Sequence, residues 1–151
     1  MLTGGGGGVM AAVSKAFYDT PDRKGLVIGV LPGDESAEES KYRYPRQKDG
    51  YPNQWVEIPV QTHLFLSGEH GTESLSRNHI NVLTSDVVVV LPGGPGTLSE
   101  VELAVRYERP VIAFVESDDE ICGLPNSVAT SASLEGEQKF VEAQLGLAED
   151  V

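Results

Sequence analysis

The sequence predicts an α/β domain built on a parallel, doubly wound sheet, and three observations carry that expectation. The runs Leu26–Leu31 (LVIGVL), Val87–Leu91 (VVVVL) and Val111–Val115 (VIAFV) have strand length and are apolar almost throughout, as in strands covered on both faces. They alternate with the helix-like segments Val9–Phe17, Thr72–Thr84 and Leu98–Tyr107. Two glycine turns, Gly4–Gly8 and Gly93–Gly96, each stand between a strand-like and a helix-like piece.

In chain order, Met1–Thr3 is at most a stub of strand, followed at once by Gly4 to Gly8 and the helix VMAAVSKAF. Strand, glycine loop and helix is the order of a phosphate loop, where φ is unrestricted and no Cβ intrudes. Neither the G-x-G-x-x-G fingerprint nor a Gly-Lys-Ser/Thr loop is present. Such a loop normally follows a full strand, so the expectation is a sheet lacking its usual first strand in this chain. Thr20–Gly25 is a turn cluster before the strand Leu26–Leu31, which ends at Pro32-Gly33.

Residues 42–53 (YRYPRQKDGYPN) have neither helical nor strand period and read as a surface loop whose Arg and Tyr could clamp a phosphate and stack on a base; a dimer-contact or disordered loop is the alternative. Trp55–Val60 alternates as a half-exposed strand, with Pro59 placing it at a sheet edge. A loop with His63 and His70 leads to the helix Thr72–Thr84, with Arg77 in its first turn or two. Beyond the strand Val111–Val115 come the acids of Glu116–Glu120, a short extended piece near Val128 and an amphipathic helix, Glu135–Leu145.

The 151 residues are expected to form one domain, 1–151, with 40% hydrophobic residues supporting an ordinary core. No apolar run approaches a membrane span and no signal-peptide pattern opens the chain, so a cytoplasmic protein without a membrane partner is expected. The formal charge of −12, from 11 Lys plus Arg against 23 Asp plus Glu, repels polyanions and argues against nucleic acid. A small phosphorylated ligand remains compatible, because local N–H groups and one or two Arg outweigh a diffuse field screened beyond about 8–10 Å. Cys122 is alone and the three histidines have no metal-ligand spacing with it, so neither a disulfide, a metal nor a resident cofactor is expected.

The central stretch is Ser76–Arg106 (SRNHINVLTSDVVVVLPGGPGTLSEVELAVR). A strand that ends in a glycine turn and feeds a helix aims free N–H groups and the positive end of the helix dipole at one point, which makes an anion site. Arg77 suits that site because a guanidinium grips phosphate in a two-point fork. Glu100 has two readings: in Thr97-Leu98-Ser99-Glu100 it completes a capping box with Thr97 as N-cap, or it is a carboxylate held beside the anion for chemistry.

The motif Pro92-Gly93-Gly94-x-Gly96-Thr97-x-x-Glu100, with Arg77 fifteen residues before Pro92, resembles the PGGxGTxxE signature and upstream arginine of the LOG family, within the SLOG superfamily. These are phosphoribohydrolases, formerly labelled lysine decarboxylases, that release cytokinin bases from nucleoside 5′-monophosphates. The resemblance implies a Rossmann-like fold, a catalytic pair at Arg77 and Glu100, and phosphate held by Gly93, Gly94, Gly96 and Thr97. Gly5, Gly6, Gly7, Gly8 and Asn78 are further ligand contacts on the same reading. It also implies a homo-oligomer, a homodimer or larger, with the site near the subunit interface.

Asn78 stands where the LOG signature has lysine, and Arg77-Asn78-His79-Ile80-Asn81 is similar to a sister group that includes the molybdenum-cofactor carrier protein of algae. The first expectation is therefore a hydrolase of the N-glycosidic bond of a purine nucleoside 5′-monophosphate, giving free base and ribose 5-phosphate, and the alternative is a non-catalytic carrier or sensor of a phosphorylated cofactor, nucleotide or pterin.

Overall fold

The computed structural model describes residues 1–34 and 48–114. Among them the order is β1 (Leu2–Thr3), α1 (Val9–Asp19), β2 (Ile28–Leu31), β3 (Ile58–Gln61), a 3₁₀ turn (Gly68–His70), α2 (Asn78–Thr84), β4 (Val88–Val90), α3 (Pro95–Arg106) and β5 (Val111–Ala113). Every ladder is parallel, giving the α/β Rossmann-like architecture expected. The strands pair in two groups, β1-β2-β3 and β4-β5. Leu2 is in register with Ile28, Ile28 with Ile58, and Val88 with Val111.

Helix α1 has no Gly or Pro inside it and ends where Thr20, preceding Pro21, is forced into extended geometry (φ −65°, ψ 121°). Thr20 Oγ1 closes the end by donating to Ala16 O at 2.8 Å. Helix α3 presents Leu98 and Val101, three residues apart, to Val90 and Ala113 of β4 and β5. Its Leu103 and Ala104 pack with Val82 of α2. Val101 and Leu103 are fully buried, and each such side chain contributes about 1.5–3 kcal/mol through removal from water.

At the amino ends of β2 and β3, Arg23 and Glu57 form a two-point pair, Nη1 and Nη2 donating to Oε2 and Oε1 at 2.8 Å each. Glu57 Oε2 also accepts the Val27 N–H at 2.9 Å, while Arg23 Nε donates to Tyr18 O at 3.1 Å. One pair therefore ties the end of α1 to the starts of two strands. The Arg23 hydrogen bond, followed by the Val27 N–H, holds the Glu57 carboxyl below its ordinary range.

Several expectations change. The helix predicted over 72–84 begins only at Asn78, because Ser76 bridges Leu66 and the Leu66 N–H donates to Leu75 O at 3.2 Å, so the preceding residues spend their backbone on a strand-like contact. Arg77 consequently occupies the N-cap position rather than the helix's first turns. Helix α3 starts at Pro95 with Gly94 as N-cap, two residues before Thr97, because proline at the first turn has its φ preset and no N–H to leave unpaired. The capping box is therefore absent, and Glu100 lies in the second turn.

Among the described residues α3 covers one face of β4, where Val90 is buried, and Val89 on the other face is 56% exposed. Leu26 precedes β2 and is exposed. β3 does lie at the edge of its group, with Pro59 opposite Gly29, and all four of its residues are exposed. The expectations for residues 42–47, Val115, Glu116–Glu120, Cys122, Val128 and Glu135–Leu145 lie outside the described residues.

Because the folded-state pKa of Glu57 is depressed, its contribution is present above the unfolded pKa and is lost as pH falls through the folded value. Glu57→Gln is expected to lower the thermal midpoint at neutral pH, with the gap to wild type closing as the solution is acidified below the carboxylate range. Thermal melts of both proteins across that range check it.

Candidate anion site

The first glycine turn lies between β1 and α1. Gly5 (φ +72°) and Gly8 (φ +60°) occupy the left-handed region that glycine adopts at little cost, and Gly8 is the N-cap of α1. Asn53 grips the turn from one side: its N–H donates to Gly5 O at 2.7 Å and its Nδ2 to Gly6 O at 2.9 Å. The Gly5 N–H donates to Thr3 Oγ1 at 3.0 Å. The N–H groups of Gly6, Gly7 and Gly8 donate to nothing among the described residues. Gly7 and Gly8 have open space where a side chain would go.

The second turn enters α3. Thr97 and Leu98 donate their N–H groups back to Gly94 O at 3.0 and 3.2 Å, whereas those of Gly93, Gly94 and Gly96 have no partner among the described residues. The Thr97 side chain folds over Gly93 so closely that a Cβ there would overlap its Oγ1. Neither α1 nor α3 has an acid in its first turn, so nothing in either helix start offsets the positive end of the dipole.

Arg77 connects the turns. It is 4% exposed, and its guanidinium lies against Gly4, where a Cβ would come within 2.6 Å of Nη2. The Tyr51 ring, which also contacts Gly6, has its centroid 5.9 Å from Arg77 Cζ. Arg77 Nη1 donates to Asn78 Oδ1 at 3.0 Å. Its Nε is buried without a partner, and it pairs with no carboxylate among the described residues.

Asn78 Nδ2 in turn donates to Ser99 Oγ at 2.9 Å, and Ser99 Oγ donates to Gly96 O at 2.8 Å. A continuous chain of hydrogen bonds thus runs from the arginine to the second glycine turn.

Glu100 is half-buried one helical turn beyond Gly96, and its Oε1 accepts from Asn81 Nδ2 at 3.1 Å. Asn81 is 6% exposed, and its Oδ1 is buried without a donor. Arg77 and Glu100 are not ion-paired. The structure therefore brings Arg77, Asn78, the first glycine turn and Gly96 into one linked group, with Glu100 attached to α2 through Asn81.

Tyr51, Asn53, Gly71, Asn81 and Ser99 are absent from the sequence-based set of site residues. Ser99 sits inside the motif, and that position is its only signal. Nothing in the sequence pairs Asn53 with a loop 47 residues away. The histidines stand apart from this group: His63 is exposed, His79 meets Tyr107 OH at 2.8 Å, and Glu73 accepts at 2.6 Å from His70, raising its pKa. No cluster of metal-ligating side chains occurs among the described residues.

Gly71 is buried where a Cβ would overlap Ser99 Oγ and come within 2.5 Å of Asn78 Nδ2. Gly71→Ala is expected to destabilise the fold by about 1–3 kcal/mol through overpacking, whereas Gly7→Ala, in open space, leaves the midpoint near wild type. Denaturant melts of the two variants compare them directly.

The fold has counterparts among solved structures. The structure of the molybdenum cofactor binding protein from the phototrophic bacterium Rippkaea orientalis superposes with a TM-score of 0.64 at 29% identity, covering 95% of this chain and 76% of that one. The structural-genomics target TM1055 superposes with a TM-score of 0.60 at 20% identity over 94% and 76% of the two chains, a likeness of fold. An uncharacterised protein of Archaeoglobus fulgidus is 30% identical over 114 residues, 76% of this chain, and the match spans 58% of that relative's length. With its glycine motif and parallel strands in place, and a match over residues 1–142, the chain belongs to the SLOG cluster4 family.

Proposed function

We propose that this protein binds a small phosphorylated ligand, a nucleoside 5′-monophosphate or a phosphorylated pterin cofactor, between its two glycine turns, and acts as a carrier or sensor of it. The observation that carries this reading is Arg77: a guanidinium 4% exposed, without a counter-ion among the described residues, lying beside one glycine turn and hydrogen-bonded through Asn78 and Ser99 to the other. An uncompensated buried cation costs several kcal/mol, which an anionic ligand offsets. The unpaired N–H groups of Gly6–Gly8, Gly93, Gly94 and Gly96 suit the oxygens of a phosphate monoester. Likeness to a molybdenum cofactor binding protein supports the pterin alternative.

A second reading, hydrolysis of the N-glycosidic bond of a nucleoside monophosphate, is favoured by the release of Glu100 from any capping duty. In that reaction Arg77 and the glycine turns hold the phosphate and so orient the ribose. Glu100 then stabilises the oxocarbenium-like ribosyl group or activates water. A homodimer belongs to the same proposal, and light scattering measures it.

Calorimetric titration with AMP is expected to give saturable binding that Arg77→Met weakens about 10- to 100-fold, the equivalent of a charged hydrogen bond of about 1.5–3 kcal/mol. Failure of every phosphate monoester to saturate the protein would sink the proposal. Chromatography of the same mixtures separates the two readings: AMP left intact over hours supports the carrier, while free adenine, abolished in Glu100→Gln with AMP still bound, supports the hydrolase.

A further inference from the structure

The geometry points to Asn78 as a positioning residue that keeps Arg77 both aimed and electrically uncompensated for the ligand's phosphate, with Ser99 fixing which way round the Asn78 amide stands. This rests on the proposed function above.

The orientation follows from a chain of donors. The Gly96 carbonyl can only accept, so the Ser99 hydroxyl gives it its one proton across 2.8 Å. Ser99 Oγ then faces Asn78 as an acceptor, and the Asn78 amide must present Nδ2 to it, at 2.9 Å. Oδ1 is thereby turned to Arg77 Nη1, at 3.0 Å. Asn78 is 3% exposed and Ser99 equally buried, so both hold the arginine from behind rather than reach into solvent. Gly71 lets them do so, since a Cβ there would strike both side chains.

The choice of amide over acid is the second half. Aspartate has nearly the same shape as asparagine and would make a stronger, charge-assisted bond to Arg77, relieving a buried cation that has no counter-ion among the described residues. It would also cancel the charge that attracts phosphate. A neutral acceptor orients the guanidinium and leaves its whole positive charge for another anion. The arrangement suits ligand binding at the expense of the free protein's stability.

The test is the thermal midpoint of wild type, Asn78→Asp, Asn78→Ala and Ser99→Ala, each alone and with inorganic phosphate or AMP, and adenosine as the unphosphorylated control. Wild type is expected to shift upward with phosphate and with AMP. Asn78→Asp is expected to melt above Asn78→Ala when free, because it gains an ion pair and the Ser99 hydroxyl turns its proton from Gly96 O to the second carboxylate oxygen, and to lose the phosphate-induced shift. Ser99→Ala, which frees the Asn78 amide to turn, is expected to bind phosphate about three- to tenfold more weakly, the equivalent of one neutral hydrogen bond.

A wild-type phosphate shift in Asn78→Asp overturns the inference and leaves the proposed function standing. Undiminished phosphate affinity in Ser99→Ala does the same without adding a charge. Free Asn78→Asp melting below Asn78→Ala also counts against it, and equal losses for adenosine and AMP mark a general structural effect that overturns it. Absence of any shift in wild type with either anion removes both readings together.

Discussion

A positive charge is buried in this molecule with no negative charge among the described residues to meet it. Arg77 is enclosed by a glycine backbone, an aromatic ring and a neutral amide, and none of these cancels a full charge. Around it the backbone compounds the imbalance, for two glycine turns leave N–H groups unspent and two helices begin without an acid. In a protein whose formal charge is −12, this concentration of positive potential is local and built by geometry rather than by composition. The elements arrange themselves accordingly: the parallel strands carry both turns, and α2 and α3 pack so that Asn78 and Ser99 meet between them.

Much of this frame was legible in the residues. Apolar runs of strand length, separated by helical segments, led to the parallel α/β fold, and glycine clusters marked where strands turn into helices. Helix starts were less legible, for a physical reason in each case. Thr97-x-x-Glu100 matches a capping box, but Pro95 is already a good first helical residue and takes the start two positions earlier. Thr72 looked like a helix opening, yet the backbone from Leu75 to Ser76 pairs with Leu66, a contact no local pattern encodes.

The site divided in the same way. The motif residues stand out because their spacing is local, and Arg77 because its distance from them resembles a known family pattern. Tyr51 is marked only as one of several tyrosines in the loop 42–53, and the part played by Asn53 does not show in the sequence, because its contact is with a loop 47 residues away. Asn81 was visible only as one letter of a pattern; its contact with Glu100 requires the packing of α2 on α3. Side chains that act on other side chains across elements leave little trace in sequence, because amide and hydroxyl residues are common everywhere on surfaces.

The grip of Asn53 on Gly5 and Gly6 bears on how the molecule comes into being. A run of five glycines has more conformational freedom to lose than any other stretch of equal length, and its order here comes from a residue 47 positions later in the chain. During synthesis, β1 and α1 emerge well before that partner does. The shape of the first glycine turn therefore depends on a non-local contact, available only once the chain as far as Asn53 has been made.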